Sequence, residues 1–335
     1  MMFPASTLFF FSTLLLGIMI SISSFSWFNI WIGLELNMMS FIPLITIKMN
    51  SYFSESALKY FLIQALGSTL FIMASCLFFS FPPLSSSLIL MSLFLKLGSA
   101  PFHFWFPKVM SGLTWPQTIL LMTIQKIAPM VLISYLSYSS TSLQIISFSA
   151  MLSALTGALG GFNSMHLRKI MAFSSINHMS WMLISLSISD MFWCIYFLFY
   201  TLISISIVVL FNMAQAFTLS DLMKFNQLNL IYSLLIPLNL LSLGGLPPFT
   251  GFIPKWMLIQ LLINNNLYFP LFFFLFSALI TLYFYLRMTI FFFLLFNSLS
   301  IINMKPNFIF SSLAHSPFLF FNLFMFSFPF MFFFF

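Results

Sequence analysis

Charge is what this sequence has least of. Asp, Glu, Lys and Arg together make up 4% of its 335 residues, and only four side chains are acidic. So few charges cannot cover a water-soluble globule, which excludes the function classes that need one. Cysteine is nearly as scarce. Cys76 and Cys194 lie in apolar runs with no neighbouring ligand spacing, so neither a disulfide framework nor a metal site is expected, and two buried thiols are. The glycine clusters are not of the G-x-G-x-x-G form, so this chain is expected to hold no nicotinamide or flavin cofactor. From Met1 to Ile22 there is no Lys or Arg. That stretch resembles neither a charged secretory signal nor an Arg-rich presequence, and it reads as a retained first span.

What is abundant is apolar length. Hydrophobic residues make up 61% of the chain, and the segments between polar breaks are mostly as long as the roughly 20 residues that cross a bilayer as a helix, far beyond the needs of a barrel strand. The expected fold is an all-α polytopic membrane protein with about eleven transmembrane helices. The spans fall near 3–22, 26–47, 55–80, 85–106, 113–136, 143–164, 168–187, 190–215, 228–260, 266–296 and 309–334. If successive spans alternate in direction, one side receives Lys48, Lys59, Lys108, Arg168, Lys169, Lys224 and Lys305, and the other only Asp190. That asymmetry follows the positive-inside rule and supports an odd count with the N-terminus on the basic side. The formal net charge of +7 therefore reports topology. With basic residues scattered singly and no aromatic stacking platform beside them, no nucleic acid partner is expected.

The informative charges are those that cannot reach a loop. Lys96 sits inside an apolar segment just ahead of Gly98 and Pro101. Pro101 has no amide hydrogen, so the Leu97 carbonyl is expected to lose its helical partner. Irregular backbone at membrane depth is tolerated where protein or a water-filled cavity surrounds it. Lys126 repeats the pattern with Pro129, expected to free the Gln125 carbonyl. Lys255 repeats it again, behind Gly244, Gly245, Pro247, Pro248, Gly251 and Pro254. Glu35 lies about a third of the way along the second span; intramembrane acids are functional by default, the alternative being a protonated carboxyl that only packs. For each lysine the alternative is an amine that snorkels to the nearest interface. Glu55 and Lys59, four apart near a helix start, suit a local ion pair. Gly157 and Gly161 are spaced to let helices approach closely. His103 and His178 either extend a proton path or are satisfied by a neighbour's hydroxyl, while His166 and His315 read as interface residues.

The run Lys-Leu-Gly-Ser-Ala-Pro-Phe-His-Phe-Trp from Lys96 closely resembles the broken-helix motif of the antiporter-like membrane subunits of respiratory complex I, in the form animal mitochondria carry. Trp-Ile-Gly-Leu-Glu, ending at Glu35, looks like that family's glutamate helix. Ile-Gln-Lys-Ile-Ala-Pro around Lys126 looks like its central lysine. Leu-Gly-Gly-Leu-Pro-Pro-Phe-Thr-Gly-Phe-Ile-Pro-Lys-Trp, with Lys255, resembles its second broken helix. The similarity runs from about Phe25 to Arg287, with the four motifs in order. Lys108 departs from it, since vertebrate relatives tend to carry an acid there.

The resemblance implies a single antiporter-like transmembrane domain over 1–335, built of inverted repeats with two broken helices. The first repeat would cover approximately 1–140, the second 143–296, and a final helix 309–334. Like the animal members, the chain would lack the leading helices of longer relatives. The resemblance further implies a proton-translocating subunit of the mitochondrial inner membrane. Glu35, Lys96, Lys126 and Lys255 would transfer protons, with His103 and His178 as accessories and His178 as a bridge between Lys126 and Lys255. No cofactor would sit on this chain, and NADH, FMN, iron–sulfur clusters and ubiquinone would belong to partner subunits. The partners would be other membrane-arm subunits, including neighbouring antiporter-like ones, and lipids such as cardiolipin. The N-terminus, Lys48, Arg168, Lys169 and Lys305 would face the matrix, and the C-terminus the intermembrane space. Two other readings stay open: a subunit of a multisubunit cation/proton antiporter, and a non-pumping membrane scaffold. Energetically the relay is feasible. A Glu35–Lys96 pair at ~4 Å and an effective dielectric of ~20 is worth about 4 kcal/mol, and a proton moved against ~150 mV costs roughly 3.5 kcal/mol.

Overall fold

The computed structural model describes residues 5–46, 50–226 and 230–295, without the side chains of 223–234 and 291–295. The span expected at 309–334, Lys48, Lys305, His315 and the Lys224 side chain lie outside what is described.

The described residues form helices α1 (Ala5–Ser23), α2 (Trp27–Ile45), α3 (Ser51–Cys76), α4 (Pro82–Leu97), α5 (Trp105–Gly112), α6 (Trp115–Met122) and α7 (Ile124–Leu136). They continue with α8 (Ser140–Phe162), α9 (Leu167–Leu186), α10 (Asp190–Ala214), α11 (Leu219–Asn226), α12 (Leu230–Gly244), α13 (Phe252–Asn264) and α14 (Tyr268–Leu295). The only extended pairing among them is an isolated antiparallel bridge, His166 to Thr218. Among the described residues, seven helical stretches are long and apolar enough to cross a membrane, α6 and α7 counting as one, while α4, α12 and α13 are shorter apolar helices.

A chain with so little charge still carries many serines, and the helices show how they are tolerated. Their hydroxyls turn back onto the carbonyl three residues earlier, as in Ser21 to Ile18 at 2.8 Å, Ser92 to Ile89 at 2.7 Å and Ser153 to Ala150 at 2.9 Å. The donor is thereby satisfied within its own helix. Exposed Phe9, Met19, Leu66, Leu159 and Phe272 present apolar surface of the kind that lipid covers.

The helices group into two compact units. One contains the described residues up to Thr156 together with Ser175–Asp190, and the other Gly157–Ser174 with the described residues from Met191 onward. In the first, α1 and α2 touch backbone to backbone. A Cβ added at Gly33 would lie 2.7 Å from both the Gly17 carbonyl oxygen and the Ser21 nitrogen, and one at Gly17 would lie 2.9 Å from the Gly33 oxygen. This small-residue seam holds α2, and hence Glu35, at a fixed distance from α1. Every residue of α9 from Ser174 to Leu186 is buried, so a helix with Ser174, Ser175, Asn177, His178 and Ser180 is surrounded by protein. In the second unit, Gly160 and Gly161 admit rings: added Cβ atoms would meet Phe173 at 2.2 Å and Phe284 at 2.9 Å. The contact at Gly161 is thus between backbone and an aromatic ring, not the backbone-to-backbone approach its spacing suggested.

The buried-thiol expectation fails. Cys76 and Cys194 are both exposed. An apolar run does not separate core from periphery in a membrane protein, because lipid tails are as apolar as a core and the outward face carries the same residue types.

Candidate functional site: buried lysines beside interrupted helices

Helix α4 stops because Gly98 adopts the left-handed conformation, at φ 70°, and its N–H turns back to Leu95 and Phe94. The site is also tight, since a Cβ would lie 3.1 Å from Phe106 Cβ and 3.3 Å from the Trp105 ring. Two carbonyls of the last turn are taken by side chains: Trp105 Nε1 donates to the Leu95 oxygen at 3.0 Å, and Gln64 Nε2 to the Lys96 oxygen at 3.2 Å. The terminator is therefore glycine, and the carbonyls that meet side chains are those of Leu95 and Lys96, not the Leu97 carbonyl that Pro101 was expected to free. Pro101 stands in the connecting turn. Lys96, in the last helical turn, is 8% exposed. Its chain lies along Gly67 of α3, where an added Cβ would come within 3.2 Å of Lys96 Cγ.

Lys126 lies in the first turn of α7, three residues past the interruption at Thr123, where α6 ends. Pro129 lies inside α7, so the visible break precedes the lysine. Lys126 is 2% exposed, and its ammonium donates to the Ser175 carbonyl of α9 at 3.4 Å and stands 5.1 Å from the centre of the Phe106 ring. Both contacts compensate a desolvated cation.

Lys96 and Lys126 line one cavity, together with Asn37, Tyr60, Gln64 and Gln125. Three of the uncharged members form a chain: the Tyr60 hydroxyl donates to Gln125 Oε1 at 3.3 Å, and Gln125 Nε2 to Asn37 Oδ1 at 2.9 Å. The cavity gives water centres about 20 Å³, and one water needs ~10–15 Å³, so it has room for one or two. The sequence reading missed these four residues. Only part of the signal was at helical spacing: Tyr60 and Gln64, four apart, share a face of α3 with Gly67, whereas Asn37 and Gln125 neighbour Glu35 and Lys126 in sequence only.

Glu35 is half-buried on α2 and within electrostatic reach of Lys96 and Tyr60. It forms no ion pair with Lys96: the one ion pair among the described residues is Lys59 with Glu55, at the expected spacing of four. His103 packs against Phe104, ring centres 4.1 Å apart and planes tilted by 33°, and its Nδ1 is buried with no hydrogen-bond partner among the described residues. It does not line the cavity. His178 is buried on α9, one turn beyond the Ser175 carbonyl that Lys126 reaches. His166 is exposed, in keeping with an interface position.

The second unit repeats the glycine device. Helix α12 ends at Gly244, and Gly245 is left-handed at φ 78°. Lys255 of α13 then caps that end, its Nζ donating to the Gly244 oxygen at 2.9 Å and the Leu243 oxygen at 3.3 Å. Any side chain at Gly245 would displace it, since a Cβ would come within 2.8 Å of Lys255 Cδ. An ammonium at a helix C-terminus meets the negative end of the dipole. Pro254 lies in the first turn of α13, where proline is tolerated.

The chain as a whole is similar to known proteins. The description "NADH:quinone oxidoreductase/Mrp antiporter, TM" matches residues 24–84 and 82–281. The chain is 48% identical over 285 residues to NADH-ubiquinone oxidoreductase chain 2 of Anopheles gambiae, covering 82% of each, and 46% identical to that of Aedes aegypti, covering 84% of each. In fold it is similar to a chain of respiratory complex I from Thermus thermophilus, at TM-score 0.78 and 24% identity over 86% of this chain and 70% of that one. It is also similar to a chain of the Mrp complex of a Dietzia species, at TM-score 0.71 and 15% identity over 82% and 58%. The chain belongs to the NADH:quinone oxidoreductase/Mrp antiporter family of transmembrane proteins.

Proposed function

We propose that this chain is a proton-translocating core subunit of the membrane arm of mitochondrial respiratory complex I. The observation that carries the reading is the cavity shared by Lys96 and Lys126 and lined by the Tyr60–Gln125–Asn37 chain. Buried ammonium groups are costly unless compensated, and a packing scaffold has no use for three of them. Proton transfer is assigned to Glu35, Lys96, Lys126 and Lys255, with His103 and His178 as accessories. The left-handed glycines after α4 and α12 support two broken helices in inverted repeats, and with the final span the count is about eleven. The site of NADH oxidation and ubiquinone reduction, with FMN and iron–sulfur clusters, belongs to partner subunits. Other membrane-arm subunits and lipids such as cardiolipin surround the chain in the inner membrane. The basic loops face the matrix.

The fold shared with the Mrp complex favours one competing reading, a cation/proton antiporter subunit. Purification under native conditions separates the two. The chain is expected to co-purify with NADH:ubiquinone reductase activity, and acidification of sealed vesicles by that preparation should require NADH and stop with a ubiquinone-site inhibitor. Proton movement driven by a sodium gradient without NADH would instead establish the antiporter.

A further inference from the structure

Helix α10 carries a buried stripe of hydrogen-bonding aromatic residues that the scheme above does not use. Trp193, Tyr196 and Tyr200 are spaced by three and four residues, so they share one helical face, and each is at most 6% exposed. The opposite face, with Met191, Ile195, Leu198 and Leu202, is exposed. Apolar residues would fill the inward face without the cost of desolvating a hydroxyl, so three polar aromatics there need a reason.

Tyr285 of α14 stands beside the helix end that Lys255 caps. It is 1% exposed, and its ring edge lies 3.6 Å from where a Cβ would stand on Gly244, whose carbonyl accepts the Lys255 ammonium. Tyr196 is within electrostatic reach of both Tyr285 and Tyr200. The Tyr285 hydroxyl lies beside the Ser174 side chain without closing a direct hydrogen bond. A phenol so placed can both donate and accept. Along α10, Tyr200 is about 15 Å from the helix start at a rise of ~1.5 Å per residue. Trp193 stands nearer that start, and its indole N–H is buried without a partner among the described residues. It can orient a neighbouring oxygen but not relay, having no acceptor.

We propose that the hydroxyls of Tyr285, Tyr200 and Tyr196 carry protons between Lys255 and the membrane face at which α10 begins, Tyr196 being the nearest of the three to that face. At each step an oxygen accepts a proton on a lone pair while its own O–H proton passes to the next acceptor. No carbon bond changes, and nothing is oxidised or reduced. The three tyrosines give the second unit a conduit from its lysine toward the surface opposite the basic loops. The proposal rests on the reading that Lys255 transfers protons.

Tyrosine to phenylalanine substitution tests it, because the ring and its packing remain while the hydroxyl goes. The measurement is protons translocated per electron by the assembled complex in sealed vesicles, for Lys255→Met and for the triple variant Tyr196→Phe, Tyr200→Phe, Tyr285→Phe. Both are expected to lower the ratio to the same value, and Tyr285→Phe alone to lower it part of the way. An unmodified ratio in the triple variant beside a lowered one in Lys255→Met overturns the tyrosine conduit and leaves Lys255 in place. An unmodified ratio in Lys255→Met overturns the assignment of Lys255 and the conduit with it. The Tyr285→Phe variant carries the test by itself if the triple variant does not assemble, an unmodified ratio there overturning the conduit.

Discussion

Lys126→Arg, in the assembled complex in sealed vesicles, is expected to pump as few protons per electron as Lys126→Ala. Arginine keeps the positive charge and can still stack on Phe106, so a site that needed only a fixed charge would be preserved. A relay needs a group that gives its proton up. The ordinary pKa of arginine lies ~2–3 units above that of lysine, so the neutral form becomes about 100- to 1000-fold rarer, and turnover through the position should fall by a similar factor. Alanine removes the exchangeable proton altogether but leaves α7 intact, since the helix is set by its own hydrogen bonds and the break at Thr123 precedes it. Normal pumping by the arginine variant would mean that a static cation suffices at position 126.

Lys96→Met should abolish the contribution of this unit to pumping while the complex still assembles. Methionine has nearly the length of the lysine stem and fits the trough along Gly67, where the stem rather than the amine makes the close contacts. Breaking a buried ion pair costs ~3–5 kcal/mol because the partner is stranded, but Lys96 has no such partner: Glu35 is half-buried and outside ion-pair distance. The expected loss of stability is therefore below that range. NADH oxidation should continue with fewer protons moved per electron. An unchanged ratio would remove Lys96 from the path, and failure to assemble would show that its charge is structural.

Much of this was readable from the chain. The expected spans and the observed helices begin within a few residues of one another from α1 to α3 and from α8 to α10, because apolar length and polar breaks are directly visible in sequence. Each lysine stands out for the same reason: it interrupts a long apolar run. Glycine and proline were both visible beside Lys96 and Lys255, but which of them ends each helix was not. Proline chemistry was visible at Pro101 and Pro254, yet the helices stop at Gly98 and Gly245, because a left-handed residue closes the last turn before the proline is reached. Lys255 as a cap on α12 depends on the ten residues between Gly244 and Lys255 folding back, which no local pattern encodes. The Tyr60–Gln125–Asn37 chain was hidden for a different reason. Its members are uncharged, come from three helices, and matter only once α2, α3 and α7 converge. Exposed Cys76 and Cys194 show the limit of hydropathy, which cannot tell a neighbour's side chain from a lipid tail.

The central claim is that Lys96 and Lys126 exchange protons through the space they share, and ordered water in that space tests it most directly. A high-resolution experimental map of the assembled complex should show one or two waters in the cavity. They should hydrogen-bond to Lys96, Lys126 or the Tyr60–Gln125–Asn37 chain, with distances short enough for proton hopping, ~2.7–3.2 Å. A lipid tail in that volume, or apolar side chains closed over it, would leave the two amines without a connection and would contradict the account.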